Sequence, residues 1–294
     1  KKGRKTMSNQ ITVANESGVS LAEMMGVANT GSSSTKSSLA RLTQVHQPTM
    51  GLMEVAGKKI KTEVMPVGVY KLTLDEDTAI YSENPKIRIF AIRQQWTQFD
   101  SELNAMNKTV MVTDLKGDFK DTKGGFNLGR PGYIKDWDAA SETVKNLIRS
   151  ISRTMVVFGF ITLDDATDEE GKRITGDYVD MPFVTDIKNK LSVKALNGFI
   201  STTARKNKLP IQYNVTLGAG IHDLPNGNQY ASYTFSSPDL IDVQEGDNEV
   251  LKEFLEFVEV TNTGILSKWD ENNRQDIDDD EKEIVASIVD VEDF

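Results

Sequence analysis

The run Lys86-Ile87-Arg88-Ile89-Phe90-Ala91-Ile92-Arg93 alternates polar and apolar residues almost without a break until it reaches Gln94-Gln95-Trp96. Side chains along a strand point to opposite faces in turn, so this spacing demands a half-buried strand in an antiparallel sheet. Lys86 and Arg88 share the face opposite Ile87, Ile89 and Ala91. Further strands are expected over residues 59–65, 67–74, 109–113, 154–163 and 183–187. Residues 211–217 and 229–235 read as a hairpin, with Asn226-Gly227 supplying the positive φ angles of a tight turn.

Three helices are expected between and after these strands. The first covers 139–152, with Val144, Leu147, Ile148 and Ile151 on one face. The second covers about 192–207, with Ser192 as N-cap and Pro210 closing it. The third, about 248–269, uses Val250, Leu251, Phe254, Leu255 and Val258. Short strands with inserted helices define a mostly β chain of the α+β class, an antiparallel barrel or curled sheet with helical additions. A doubly wound α/β fold fits less well, because adjacent strands are joined by connections too short for crossover helices.

A chain of 294 residues with 38% hydrophobic content can bury a substantial core. We expect one domain over 39–269, a flexible arm over 1–38 and a disordered acidic tail over 270–294. The arm contains Gly31-Ser32-Ser33-Ser34-Thr35-Lys36-Ser37-Ser38, which buries too little apolar area to offset ordering entropy. Leu21-Ala22-Glu23-Met24-Met25 and Leu39-Ala40-Arg41-Leu42 are expected as short docking helices. The longest apolar runs, such as 155–161, fall far short of the roughly 20 residues that cross a bilayer. The polar N-terminus shows no apolar signal-peptide core, and the expectation is a soluble, cytoplasmic protein without membrane contact.

Several chemistries fail on inventory. Without cysteine there is no disulfide, thiolate nucleophile or cysteine-ligated metal. The only histidines are His46 and His222, which argues against a Ser-His-Asp or multi-histidine site. Gly124-Gly125 and Gly129 are not followed by the Gly-Lys-Ser/Thr of a phosphate loop. Asp276, Asp278, Asp279 and Asp280 lack the glycine turn and distal glutamate of a calcium loop. No cofactor, metal or enzymatic activity is expected.

Binding features are richer. Between Lys116 and Trp137, Lys116, Lys120, Lys123, Arg130 and Lys135 interleave with Phe119, Phe126, Tyr133 and Trp137, and five glycines let the backbone bend around a ligand. Single-stranded nucleic acid calls for this pairing, since cations neutralise phosphates while rings stack on unpaired bases. The plainer alternative is a long loop whose rings fold back on the core. A second candidate face comprises Lys86, Arg88 and Arg93 with Trp96 and Phe99; solvent-facing strand charges explain it equally well. Phe158 and Phe160 are assigned to the core, and Tyr213, Tyr230 and Tyr233 to cross-strand packing.

Charge is partitioned along the chain. Residues 241–294 hold 18 acids against 4 bases, and the preceding 240 hold 26 acids and 30 bases. Without Lys1, Lys2, Arg4 and Lys5, which precede Met7, the body is neutral. The terminal Asp290, Glu292, Asp293 and Phe294 suit a recruitment peptide in which carboxylates steer toward a basic groove while the ring and its carboxylate fill a pocket. A solubilising tail is the alternative.

The ending Asp290-Val291-Glu292-Asp293-Phe294, on an acidic segment behind a strand-rich body, resembles the single-stranded DNA-binding proteins of bacteria and lytic phages. That resemblance covers about the last 25 residues of this chain. It implies an OB-fold core, cooperative or dimeric coating of single strands during replication and recombination, and a tail that recruits polymerase, helicase or primase. The absence of cysteine excludes the subclass with a zinc-bearing core. The rival reading is an acidic virion component or a DNA mimic that occupies a host enzyme, supported by the overall charge of −10.

Overall fold

The computed structural model describes residues 39–55, 58–75, 78–176 and 178–289, with side chains except at 52–61, 237 and 274–289. The expected arm over 1–38 and the terminal Asp290, Glu292, Asp293 and Phe294 lie outside the described residues.

The architecture is mixed α+β, a large curled sheet with three helices. Its strands are β1 (Ala40–Gln44), β2 (Thr49–Val55), β3 (Lys58–Met65), β4 (Tyr70–Thr73), β5 (Ala79–Ser82), β6 (Lys86–Asp100), β7 (Ala105–Lys108), β8 (Ile151–Thr162), β9 (Met181–Ile187), β10 (Tyr213–Asp223) and β11 (Gln229–Leu240). The helices are α1 (Glu142–Ser150), α2 (Lys190–Arg205) and α3 (Asp247–Val289). Eight strands run in the order β11-β10-β6-β8-β9-β1-β4-β5, β7 adds to β6, and β2 with β3 forms a separate hairpin. Every pairing is antiparallel except β1 with β9, which is parallel.

Side chains rather than a ladder bring distant parts of this sheet together. The Tyr70 hydroxyl on β4 donates to the Gly218 carbonyl on β10 at 2.7 Å. Its ring meets Tyr233 of β11 edge-on at 5.2 Å. Inside the curl lies the main core, where Leu42, Leu72, Ile87, Ile89, Val157, Ile161, Phe183 and Leu217 are capped by Leu196 and Phe199 of α2. The named strands at the two ends of the order, β11 and β5, do not pair, so no continuous ladder closes a barrel among the described residues.

A bulge in β6 builds a second core. The register against β8 slips between Ile89 and Ala91, placing Phe90 and Ala91 together on the outer face. The strict alternation read in sequence therefore breaks at this point, and Ala91 leaves the face of Ile87 and Ile89. On the outer face Phe254 and Val258 of α3 pack against Phe90, Ala91, Val156 and Phe158. Gly159 sits beside the bulge because a Cβ there would lie 2.0 Å from the Arg88 carbonyl oxygen. With both faces covered, β8 reads as a near-continuous apolar run.

Arg88 is not solvent-facing as its position in the alternation suggests. Only 6% exposed, its guanidinium grips both carboxylate oxygens of Asp247 at 2.9 and 2.5 Å and donates to the Ile211 carbonyl at 2.8 Å. Asp247 opens α3 and also accepts from the Gln244 amide at 2.6 Å. The pair thus fixes where the helix starts against the sheet.

Other local expectations change as well. Residues 40–42 belong to β1 rather than to a helix, drawn into the sheet by β4 and β9. Asn189, not Ser192, caps α2 by accepting from the Leu191 amide. Ser192 is buried and accepts from the Tyr233 amide at 2.9 Å, satisfying an outward-pointing donor of β11. The third helix does not stop at Trp269 but continues through residues 270–289. Residues 109–113 form isolated bridges rather than a regular strand.

Arg88→Met strands a buried carboxylate and should cost about 3–5 kcal/mol in urea unfolding. The double variant Arg88→Met with Asp247→Leu should recover much of that loss; equal or greater loss would show that the pair is not a closed unit. Burial raises the Tyr70 hydroxyl well above its ordinary value and pushes Tyr233 up from 10.0 to about 12. Both hydroxyls are kept neutral by the fold, so their contribution is full below the unfolded value of 10.0; that of Tyr233 is lost as pH climbs through about 12, and that of Tyr70 continues to fall at higher pH. Urea midpoints at about pH 9 and about pH 11 should differ, and by less in Tyr233→Phe.

Candidate nucleic-acid interface

Residues 109–141 connect β7 to α1 and wrap the edge of β6 that β10 leaves free. The wrapping begins with main-chain bonds: Gln94 and Val112 exchange N–H···O bonds at 2.7 and 2.9 Å, and the Thr109 amide donates to the Trp96 carbonyl at 3.0 Å. Asp121 then organises the glycine-rich turn. Fully buried, its carboxylate accepts from the amides of Lys123 at 2.9 Å, Gly125 at 3.1 Å and Leu128 at 2.7 Å. A carboxylate that collects three N–H groups holds the backbone in one shape and leaves the neighbouring side chains to face outward.

α3 clamps this loop from the other side. Asn262 exchanges hydrogen bonds with both main-chain groups of Met111, at 2.7 and 2.9 Å. Further along, the Trp269 indole N–H donates to the Gly125 carbonyl at 3.0 Å, while the Asn272 and Asn273 amides donate to the carbonyls of Thr122 and Gly124 at 2.9 and 3.0 Å. Gly124 has φ +86° and a Cβ there would come within 2.9 Å of the Asn272 Cβ, so helix and turn meet closely.

The two candidate segments meet at one point. Arg130 lays its guanidinium 4.5 Å from the Trp96 ring centroid, joining the loop to β6. Lys120 places its ammonium 3.6 Å from the centroid of Trp269, and Phe126 meets the same indole at 5.9 Å. Trp137 is approached by Arg149 of α1 at 6.0 Å. Tyr133 is 94% exposed. Lys123 and Lys135 face solvent, and Lys116 pairs with Asp114 at 3.0 Å.

The rest of the β6 set lies elsewhere. Lys86 stands about 33 Å from Trp96 along the strand and is paired with Asp164 at 2.7 Å, a bond that raises its pKa. Arg88 is committed to Asp247. Arg93 folds its guanidinium onto the Ile92 carbonyl at 2.9 Å. Phe158 is fully buried, Phe160 packs on Phe90 and Phe254, and Tyr213 and Tyr233 are buried, while Tyr230 stacks on His222 at 4.9 Å.

Two observations set the loop apart. Among the described residues, the most exposed aromatic side chains are Tyr133 and Phe99, followed by Phe126 and Trp137 at just under half. Acids and bases are equal in number over residues 114–138, yet they are used differently. Asp118, Asp121 and Asp136 accept hydrogen bonds from within the loop or its flank. Among the described residues no carboxylate forms an ion pair with Lys120, Lys123, Arg130 or Lys135. The loop is formally neutral, since amide donors leave these carboxylates charged, but four of its five cations are not held in ion pairs.

Sequence reading missed Trp269, Arg149 and Arg153. Arg153 lies directly across the ladder from Trp96 and holds the Gln94 side-chain oxygen at 3.0 and 2.6 Å. Its signal was the β8 strand itself, once paired in register with β6.

Comparison with protein-family models, curated proteins and solved structures returns no match to this chain. Among the described residues no group of His, Asp or Glu could hold a metal ion, and no helix is long and apolar enough to cross a membrane.

Asp121→Ala should leave the amides of Lys123, Gly125 and Leu128 without their acceptor, at about 1–3 kcal/mol for a buried group. Amide exchange should accelerate at these three positions while β8 keeps its protection. Unchanged exchange there would remove Asp121 from its organising role.

Proposed function

We propose that the protein is a non-catalytic single-stranded DNA-binding protein that coats unpaired strands in the cytoplasm during replication or recombination. Exposed rings coincide with unpaired cations in the loop over 109–141 and the adjoining end of β6, and that coincidence carries the reading. Phe126, Tyr133 and Trp137 offer rings for bases, and Arg130 lies 4.5 Å from the Trp96 ring centroid beside them. Lys123, Lys135 and Arg130 supply charge for phosphates. A curled sheet that presents such a loop serves strand binding in the manner of an OB fold. Lys86, Arg88 and Arg93 take no part in this version of the site.

The acidic run from Asp276 onward belongs to the same helix that clamps the loop. In this reading it competes with DNA for the loop's cations, and the terminal Asp290, Glu292, Asp293 and Phe294 recruit a polymerase, helicase or primase.

Tyr133→Ala and Trp137→Ala should each weaken binding to oligo(dT) by about 1–3 kcal/mol in a fluorescence-anisotropy titration. Lys123→Ala or Lys135→Ala should reduce the salt dependence by about 0.7 in the log–log slope. Truncation after Asn273 keeps the clamp and should tighten binding at low salt. A full-length chain that ignores single strands at low salt overturns the proposal and returns the acidic structural or DNA-mimic reading.

A further inference from the structure

The chain has three tryptophans, and each carries a cation over its ring. Arg130 covers Trp96 at 4.5 Å, Arg149 approaches Trp137 at 6.0 Å, and Lys120 covers Trp269 at 3.6 Å, the closest of the three. Trp269 belongs to neither hydrophobic core, although α3 supplies Phe254 and Val258 to one of them. Its indole instead stands on the glycine turn, half-buried, with Phe126 edge-on at 5.9 Å. An aromatic ring placed between a cation and a second, exposed ring is the arrangement in which a nucleobase finds a stacking surface and its phosphate a counter-charge.

Resting on the reading above, we infer that Trp269 is a base-stacking residue of the nucleic-acid site, delivered by α3 rather than by the loop. Its indole N–H bond to Gly125 and the flanking Asn272 and Asn273 bonds set the ring's position. Single-stranded DNA is then held jointly by the loop and by the helix that bears the acidic run. Strand occupancy and docking of α3 are consequently linked, since each stabilises the arrangement the other requires.

The alternative role for Trp269 is to fasten the helix to the turn, and the two roles separate experimentally. Trp269→Phe keeps a ring and loses the N–H bond; Trp269→Ala loses both; Asn272→Ala with Asn273→Ala loosens the fastening and keeps the indole. A stacking role predicts oligo(dT) affinity within about two-fold of the parent for Trp269→Phe and a loss of about five- to a hundred-fold for Trp269→Ala. A 5-iodouracil-substituted oligo(dT) should cross-link on irradiation to the peptide containing Trp269. A fastening role predicts no such cross-link, and comparable losses in Trp269→Phe and the double asparagine variant; either result overturns the inference. Should Trp137→Ala and Tyr133→Ala weaken binding while Trp269→Ala does not, this inference fails and the proposed function stands. Full-length protein that binds no oligo(dT) at low salt ends both.

Discussion

A strand pair covered on both faces can keep a charge in its interior only if that charge is paired, and β6 and β8 meet this condition through Arg88 and Asp247. The inner face of the pair belongs to the curl capped by α2, and the outer face belongs to α3. On the outer face sits a guanidinium whose three nitrogens each donate a hydrogen bond, two of them to the Asp247 carboxylate. Breaking such a pair costs more than never having built it. What it supplies is position: it sets where α3 begins, and every later contact of that helix, from Phe254 to Asn273, inherits the register.

The β6 bulge acts at the same place. One residue out of step turns Phe90 and Ala91 to the same side and widens the outer face enough for an aromatic cluster with Phe160 and Phe254. Gly159 accommodates the resulting approach of the Arg88 carbonyl. Beyond the bulge β6 extends past β10, and the exposed edge from Gln94 onward is satisfied by the loop over residues 109–112. The candidate site is thus where a long central strand outruns its neighbour and an irregular segment completes the pairing.

Much of this was legible in the sequence, and the failures share a cause. Alternation located β6, and the unbroken apolar run located β8, because side-chain period is a local property. β1 was misread because Leu39-Ala40-Arg41-Leu42 satisfies helical spacing as well as strand spacing, and its partners β4 and β9 lie far along the chain. The bulge left no compositional mark except Gly159. Interleaved rings, cations and glycines made the loop over 116–137 stand out, whereas Trp269 joins it across 144 residues of sequence through a bond to Gly125. Arg88 shows the opposite error: a residue that alternation placed in solvent was claimed by a carboxylate 159 positions away. Nothing in the Asp278-Asp279-Asp280 run announces that the helix continues through it to Val289.

That continuity makes α3 a lever. From Asn273 to Val289 the helix runs about 24 Å further along its axis than its last described bond to the loop. A protein that grasps the far end exerts torque about the Gly124 turn, where the helix is fastened by three hydrogen bonds through their donors on Trp269, Asn272 and Asn273. A load on the far end of the helix would therefore be felt first at the glycine turn.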